Sequence, residues 1–384
     1  MAQRLMSLMR SFFRLENRSS FRLESCLQTS IWLERLPDEM LVRIFSYLTI
    51  QELCLLRDSH VSTRIRRICN DKSLWKKVDL SGQKVKAEFI KTILENGCEN
   101  LNLQNTLIDG SIKLSKISKL TYLELERIER YRIGENREVS KSFFNEILLS
   151  CRSLQKLVLG EPAYDLALLQ RIFSQNGQTL QALNFGAYYD TIFKWSCTSI
   201  LELDFWMQSM IFVKLILTHC TKLQEINLEY CDLHHDALNQ LVSGLSPEIE
   251  KVSLPGNDEV TDEHIETLVS RCNKITALDI GSGYGRRIQY CDISCLTNNA
   301  ITSILNHLKN LTELDVTGCS NITLEKVLEL ESLQLQVLNF GFNKEMNSKY
   351  LDEMPGLMKK LPHLIINKKE NDIIISVGGR IAKI

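Results

Sequence analysis

Three short stretches of the chain carry residue types that could support chemistry. GSGYG at residues 281–285 is glycine-rich, but it is not G-x-G-x-x-G and lacks the Lys-Ser/Thr pair that completes a phosphate-binding loop. Cys291 and Cys295 enclose three residues, but no second Cys or His pair follows at zinc spacing. His234 and His235 are adjacent, which is more typical of a solvated turn than of a ligand pair. The sequence therefore predicts no catalytic residue, no metal site and no cofactor.

The composition narrows the class of protein. The chain has 384 residues, of which 44% are hydrophobic and 24% are charged, as in soluble globular proteins. The formal net charge of −1 argues against a nucleic-acid-binding protein. No apolar run reaches the roughly 18 residues that would span a bilayer. Twelve cysteines in a long chain without an export signal are expected to be reduced. We therefore expect a cytoplasmic or nuclear protein with no nucleic-acid or membrane partner.

The first 30 residues differ from the rest of the chain. They contain several arginines and serines but no lysine, which resembles a mitochondrial presequence. Glu16 and Glu24 oppose that interpretation, because presequences contain few acidic residues. We interpret residues 1–30 as a flexible arm, with mitochondrial targeting as the alternative.

A helical cassette follows the arm. Leu41, Ile44, Phe45 and Leu48 recur at the i, i+3, i+4, i+7 spacing of an amphipathic helix. Pro37 suits the first helical position, because proline has no N–H that needs a partner there. The pattern predicts a helix that begins near Pro37.

Two further helices are predicted in the same cassette. Thr49 and Glu52 have the spacing of a capping box, which opens the second helix. Ile65 and Ile68 share a face of a third helix, with Arg64 and its neighbouring arginines expected to face solvent. Three short helices cannot bury enough apolar surface to be stable alone. The cassette must therefore pack on the rest of the chain, on a partner, or on both.

The stretch LPDEMLVRIFSYLTIQEL, followed by the pair Leu74-Trp75, resembles the F-box. The F-box is the helical module with which substrate receptors bind the Skp-type adaptor of SCF cullin–RING ubiquitin ligases. The resemblance places an F-box at residues 31–79. It implies that the adaptor is contacted by Leu36, Pro37, Ile44, Phe45, Leu48 and Leu53.

The pattern changes after Trp75 to apolar-x-x-apolar-x-apolar, repeated at roughly the 20–29-residue period of leucine-rich repeats. The last two apolar positions share one face of a short strand, and the rest of each unit has helical spacing. We predict an α/β leucine-rich-repeat solenoid over residues 80–384, with parallel strands on the concave side, helices on the convex side and a C-terminal cap. The units begin at Trp75, Cys98, Leu120, Leu154, Leu180, Ile200, Leu223, Ile249, Ile275, Leu311, Leu335 and Leu361.

Six cysteines follow the repeat register. Some lie three residues before the first apolar position of a unit, namely Cys151, Cys197, Cys220 and Cys272. Cys231 and Cys319 lie eight residues after that position, in a slot that Asn257 and Asn343 fill in other units. We interpret these cysteines as structural, because buried free cysteine behaves as a small hydrophobe.

The strand positions between the buried residues face the concave side, where a protein target would bind. Acidic side chains dominate these positions, which would suit a basic target with aromatic anchors. The alternative is that Asp and Asn serve the repeat structure itself. The predicted target-binding residues are Tyr122, Glu124, Asp204, Trp206, Asn227, Glu229, Asp279 and Asp315. The insertions at residues 127–141 and 281–295 either extend this surface or are mobile loops.

The resemblance and the repeats together predict a substrate-recognition subunit of an SCF-type ubiquitin ligase. The protein would bridge the Skp-type adaptor, and through it the cullin–RING ligase, to an unidentified protein target. No RING spacing and no Cys/His pair of a thioester-forming ligase is present, so we expect no enzymatic activity. Two alternatives are a leucine-rich-repeat scaffold without a ligase role, whose cassette is only a cap, and a mitochondrial repeat-type assembly factor.

Overall fold

The computed structural model of the chain describes most of the cassette and of the repeats. The described ranges are residues 35–58, 62–111, 113–117, 119–125, 137–160, 166–185, 205–282, 296–333, 335–340, 364–369 and 372–377. The arm at residues 1–30 and most of both insertions lie outside these ranges. None of the helices in the described ranges is long and apolar enough to cross a membrane.

The cassette contains the three predicted helices and a fourth, shorter one. They are α1 (Asp38–Phe45), α2 (Ile50–Asp58), α3 (Thr63–Cys69) and α4 (Lys72–Trp75). Pro37 is the residue before α1 rather than its first residue, and its carbonyl accepts the first helical hydrogen bond, from the Leu41 N–H at 3.1 Å.

The predicted capping box is confirmed at the start of α2. The Thr49 N–H donates to Glu52 Oε2 at 2.8 Å, and the Glu52 N–H donates to Thr49 Oγ1 at 3.2 Å. Each side chain therefore satisfies a backbone N–H that the first turn of the helix leaves unpaired.

Short strands recur along the rest of the chain. Ten of them form one parallel sheet in the spatial order β1-β3-β5-β6-β7-β8-β9-β10-β11-β12, and β2 pairs with β4 in a separate parallel sheet. The strands are β1 (Lys77–Asp79), β2 (Lys84–Lys86), β3 (Asn100–Asn102), β4 (Leu107–Asp109), β5 (Tyr122–Glu124), β6 (Lys156–Val158), β7 (Ala182–Asn184), β8 (Glu225–Asn227), β9 (Lys251–Ser253), β10 (Ala277–Asp279), β11 (Glu313–Asp315) and β12 (Val337–Asn339).

A helix lies between each pair of consecutive strands of the main sheet except β3 and β5, as is usual for parallel pairing. These helices cover one face of the main sheet, so the predicted leucine-rich-repeat α/β fold is confirmed. The helices are α5 (Ala87–Glu95), α6 (Arg137–Ser150), α7 (Leu166–Asn176), α8 (Phe205–His219), α9 (His235–Gly244), α10 (Asp262–Arg271), α11 (Asn298–His307) and α12 (Leu324–Leu328), with a 3-10 turn at Glu329–Ser332.

The middle residue of each strand in the main sheet points to the helices. Leu101, Leu123, Leu157 and Leu278 occupy this position and are fully buried. Because side chains alternate across a strand, the first and third residues point to the opposite, concave face. Each middle residue lies in register with that of the next strand, so one apolar row runs through the whole sheet.

Two of the predicted repeat units are wrong. The unit that begins at Ile200 would place a strand between β7 and β8, but these two strands pair directly with each other. Phe205, its last apolar position, is instead the first residue of α8. The unit that begins at Leu361 contributes β13 (Leu364–Lys369), which pairs antiparallel with β14 (Asp372–Val377) in a separate two-stranded sheet.

The side chain eight residues after the first apolar position of a repeat unit has a structural role, as predicted. The Asn257 amide nitrogen donates to the carbonyls of Leu228 and Leu254, both at 2.9 Å. In other repeats the same slot holds Cys231 and Cys319, which are fully buried. The Cys319 thiol donates to the Ile280 carbonyl at 3.5 Å, so cysteine and asparagine bridge adjacent repeats in the same way.

Trp75 joins the cassette to the repeats. It is fully buried, its indole Nε1–H donates to the Cys69 carbonyl at 2.8 Å, and the Arg57 guanidinium lies 5.6 Å from its ring centre. Its neighbour Val78 is already part of the first strand. The apolar cores of the cassette and the solenoid therefore form one continuous cluster.

We expect Trp75→Ala to lower the free energy of unfolding by about 3–5 kcal/mol, since it leaves a cavity where the two parts meet. Urea unfolding followed by circular dichroism measures the change. Trp75→Phe is the matched variant, because it keeps most of the packing and removes only the indole N–H, and it should cost less. Unchanged stability in Trp75→Ala would contradict a shared core.

Candidate functional site

Helix α1 is apolar on two sides. Leu41 and Phe45 point into the protein and are 0% and 1% exposed. Met40 points outward and is 50% exposed, and Ile44, one helical turn later, is half-buried. Because residues four apart share a face of a helix, Met40 and Ile44 form an outer stripe next to the inner one.

Two more large apolar side chains are exposed elsewhere in the cassette. Tyr47 is 55% exposed and Leu55 on α2 is 51% exposed. Together with Met40 they are three of the five large hydrophobic residues with exposed side chains in the described part of the chain. The outer apolar surface is therefore defined by Met40, Ile44, Tyr47 and Leu55.

The predicted adaptor-binding residues separate into two groups. Leu36, Ile44 and Leu48 are half-buried and Pro37 is exposed, so a partner could contact all four. The structure places Phe45 and Leu53 in the core at 1% and 2% exposure, so their contact with the adaptor stays a prediction that this conformation does not favour. Sequence reasoning missed the exposed residues Met40, Tyr47 and Leu55. The helical period shows that a helix has apolar stripes, but it does not tell which stripe is buried and which is exposed.

An ion-pair cluster holds the start of α1 against α3. Asp38 accepts from Arg64 Nη2 and from Arg67 Nη2, both at 2.6 Å, and Arg64 Nη2 also donates to the Leu36 carbonyl at 2.6 Å. The hydrogen bond from Arg64 lowers the pKa of Asp38. The expectation that Arg64 points to solvent is wrong, because its guanidinium bonds to Asp38 and to the Leu36 carbonyl at the start of α1.

The concave face carries two rows of side chains, from the first and third residues of the strands. The row formed by the third residues is rich in Asp and Asn, and five of these residues make the same kind of hydrogen bond. Asp79, Asn102, Asn227, Asp279 and Asp315 each accept, through Oδ1, from the backbone N–H two residues later, at 2.8–3.2 Å. This bond closes the turn after the strand, which supports the structural alternative for part of the predicted acidic strip.

Two carboxylates lie side by side in this row. Asp279 and Asp315 are register partners on adjacent strands. Asp279 Oδ2 accepts from the Ser253 hydroxyl at 3.4 Å, and Asp315 Oδ2 accepts from Asn339 Nδ2 at 2.8 Å. Ser253 and Asn339 are almost fully buried, whereas both carboxylates are half-buried.

The environment of this carboxylate pair disfavours negative charge. Burial raises the pKa of Asp279 well above its usual range, and the charge of Asp315 raises it further. Burial also raises the pKa of Asp315, against the hydrogen bonds from Thr317 and Asn339. No cation from the described residues forms an ion pair with either carboxylate.

A separate polar cluster lies nearer the other end of the sheet. The Tyr122 hydroxyl donates to Glu124, and Lys156 lies 6.0 Å from the Tyr122 ring centre. Glu225 forms ion pairs with Lys156 at 3.7 Å and with Lys251 at 3.2 Å. Here the acids are paired with bases, in contrast to the carboxylate pair.

The structure does not gather the predicted target-binding residues into one compact site. Tyr122 and Glu124 on β5 lie five strands from Asp279 on β10, roughly 24 Å at the usual strand spacing. Asp204 lies outside the described residues. Trp206 is the second residue of α8, so its prediction as a strand residue is wrong; its role in target binding stays a prediction.

The described side chains hold no group of three or more His, Cys, Asp or Glu that could bind a metal ion. The thiols of the repeats are also poorly suited to reaction, since burial raises the pKa of Cys151 and of Cys220 to about 12.

Comparisons with known proteins match both parts of the chain. Residues 33–81 match the family model described as F-box-like. The chain is similar in structure to the crystal structure of the Rad7 and Elc1 complex in yeast, with 15% identity, 86% of this chain and 96% of that chain covered and a TM-score of 0.44. It is also similar to the leucine-rich-repeat-containing protein LegL7 from Legionella pneumophila, with 13% identity, 63% and 90% covered and a TM-score of 0.32.

We expect Asp279→Asn to raise the free energy of unfolding at pH 7, because burial raises the pKa of Asp279 and so disfavours its charged form. A carboxyl whose pKa is raised by folding stabilises the fold fully below its unfolded pKa of 3.8 and loses that contribution as the pH rises through its folded pKa. The gain should therefore be present at neutral pH and vanish below about pH 4. Thermal unfolding of both proteins across this range measures it.

Asp79→Asn is the matched control, because Asp79 makes the same turn hydrogen bond but is exposed at the end of the sheet. Asp79→Asn should not show the stability gain at neutral pH that is expected for Asp279→Asn. If Asp279→Asn were destabilising at pH 7, the charge itself would be required by the fold.

Proposed function

We propose that this F-box-like, leucine-rich-repeat protein is a substrate-recognition subunit of an SCF-type ubiquitin ligase. The cassette binds the Skp-type adaptor, which joins the protein to the cullin–RING ligase, and the concave face of the repeats binds a protein target. The protein contributes no catalytic group, and it accelerates transfer of ubiquitin by holding the target close to the charged carrier.

The outer apolar surface is the observation that carries this proposal. Three of the five large apolar side chains exposed in the described part of the chain, Met40, Tyr47 and Leu55, lie within this one small helical cassette. An apolar group of this kind on a folded surface is typical of a protein interface. It also lies within the residues that match the F-box-like family, so a helical adaptor is the partner that fits it.

The scaffold alternative is favoured by one specific observation. Leu41, Phe45 and Leu53 pack into the same core as the repeats, which is what a helical cap would do. However, capping uses the inner stripe of α1 and adaptor binding uses the outer one. The two roles are therefore compatible on one helix. The mitochondrial alternative rests on residues 1–30 and stays a prediction.

We expect Met40→Asp combined with Ile44→Asp to weaken co-purification with a Skp-type adaptor by roughly a hundredfold or more, since it places charge in an apolar interface. Quantitative pull-down with the purified adaptor measures this loss. Leu107→Asp is the matched control, because Leu107 is 47% exposed but lies on β4, outside the cassette. Equal adaptor binding by the double variant and the control would overturn the proposed function.

The buried residues should behave differently from the exposed ones. We expect Leu53→Ala to lower the free energy of unfolding by about 2–5 kcal/mol through the cavity that it creates, while adaptor affinity per folded molecule stays unchanged. Chemical denaturation and adaptor binding of the same preparation separate the two effects. A loss of adaptor affinity without a loss of stability would show that Leu53 contacts the adaptor directly.

A further inference from the structure

Helix α10 begins with a capping box in which an imidazole replaces the usual carboxylate or amide. The Thr261 N–H donates to His264 Nδ1 at 3.0 Å, and the His264 N–H donates to Thr261 Oγ1 at 3.4 Å. In the capping box of α2 the same position is filled by Glu52. A carboxylate remains an acceptor down to about pH 4, whereas histidine gains a proton near pH 6.5. The cap of α10 therefore depends on a group that titrates near neutral pH.

The contacts of His264 fix its protonation state. Because Nδ1 accepts from a backbone N–H, the proton of the neutral ring lies on Nε2, which is 3.3 Å from the His235 carbonyl oxygen and donates to it. His264 is only 1% exposed, so water cannot replace a lost partner. A proton added to Nδ1 would remove the acceptor of the Thr261 N–H. The bond that this proton could donate to Thr261 Oγ1, 2.8 Å away, does not restore that acceptor.

His264 also joins α10 to the repeat before it. His235 is the first residue of α9, and its ring packs edge to face against that of His264, with the ring centres 4.6 Å apart. The His235 N–H donates to Glu259 Oε2 at 2.5 Å, and the Leu233 N–H donates to Asn257 Oδ1 at 3.0 Å. The start of α9 is therefore held by the turn that follows β9 and by the first turn of α10.

The charges around His264 act in both directions. Burial is the largest influence and lowers the pKa of His264, and the neighbouring His235 lowers it as well. The hydrogen bond to the His235 carbonyl and the negative charges of Glu263 and Glu259 act to raise it. On balance the pKa of His264 is lowered, so the folded junction disfavours the charged ring.

Two other histidines near this junction have carboxylate partners. His234 Nδ1 accepts from the Asp236 N–H at 3.4 Å and lies 3.9 Å from the Asp236 carboxylate. On α11, the helix of the next repeat, His307 Nε2 lies 3.3 Å from Glu266 Oε1 of α10. Each of these rings gains an ion pair when it is protonated. We therefore attribute the unfavourable effect of acid on this junction to His264.

We propose that the junction between α9 and α10 is a pH-sensitive switch, in which protonation of His264 releases the start of α10 from α9. A histidine whose pKa is lowered by folding stabilises the fold above its unfolded pKa of 6.5, and this contribution is lost as the pH falls through its folded pKa. Local opening of the junction therefore becomes more favourable in acid. This inference goes beyond the proposed function and does not depend on it, since it concerns contacts within the repeats alone.

Amide hydrogen–deuterium exchange of the full chain between about pH 7.5 and pH 5.5 tests the switch, with rates corrected for the intrinsic effect of pH on exchange. The reporters are the N–H groups of Leu233, His235 and Thr261, whose bonds cross or cap the junction. We expect their protection to fall by roughly threefold or more, because an open state that binds one more proton is favoured by up to about tenfold for each pH unit. Protection of α5, near the cassette, should change less.

His264→Gln is the decisive variant, because glutamine keeps a side-chain acceptor for the Thr261 N–H and does not titrate. Protection of the junction in this variant should not depend on pH. His307→Gln is the matched control, since it removes a histidine from the next helix and should respond to acid like the wild type. The proposal is overturned by a wild type without pH dependence, by an equal response of His264→Gln, by loss of the response in His307→Gln, or by an equal loss of protection along the whole chain.

A second measurement needs no variant and so remains decisive if His264→Gln does not fold. Exchange of the imidazole C2 hydrogen depends on protonation of the ring, and trypsin releases residues 252–271, whose only histidine is His264. Mass spectrometry of this peptide therefore reports the titration of His264 in the folded wild type. We expect a midpoint below the ordinary value of 6.5. A midpoint at or above that value would overturn the proposal.

Discussion

The structure depends on the burial of one apolar row that no repeat can bury alone. Each strand places a single middle residue toward the helices, and this residue is covered only when the strands before and after it are in register. A buried leucine contributes about 1.5–3 kcal/mol, which is small against the conformational entropy of ordering a whole repeat. The stack is therefore stable as a whole, and its ends need cover. The cassette provides this cover at the first strand, where Trp75 completes the core.

The same stacking decides which residues are left for binding. Strand ends expose backbone N–H groups, and a short side chain two residues earlier satisfies them. Asparagine and aspartate serve this purpose equally well, so an acidic strip on the concave face is partly a by-product of turn closure. What distinguishes Asp279 and Asp315 is that they are adjacent and half-buried, whereas Asp79 is exposed and Glu225 is paired with lysines. Function on this face is therefore better inferred from unpaired charge than from acidity.

Helix α1 must satisfy a core and a partner at once. Leu41 and Phe45 are four residues apart, and so are Met40 and Ile44. Both pairs therefore have the spacing of a continuous apolar stripe. Burial of Leu41 and Phe45 decides which stripe faces inward, and Asp38, held by Arg64 and Arg67, ties the start of the helix to α3. A surface ion pair of this kind adds little stability. Its structural effect is to orient the start of the helix.

Local pattern alone was sufficient for much of the molecule. The spacing of apolar residues predicted the ten strands of the main sheet and the first three helices, and the Thr49–Glu52 spacing predicted the capping box. Each of these features depends on residues that are close together in the sequence. The cysteine slot was also predictable, since Cys231, Cys319 and Asn257 occur at one fixed position in the repeat. These features reflect which side chains must be buried and which backbone groups must be paired.

The tertiary structure decided what each apolar residue is buried against. The residues from Ile200 to Phe205 have the spacing of a strand, but β7 and β8 pair directly and Phe205 begins a helix. Phe45 and Leu53 have the spacing of a docking face but lie in the core. Asp279 and Asp315 are 36 positions apart in the sequence and become neighbours only through the strand ladder. The periodicity of apolar residues predicts which side chains must be buried. Which residues they pack against, and which charges remain unpaired, depends on contacts between distant segments of the chain.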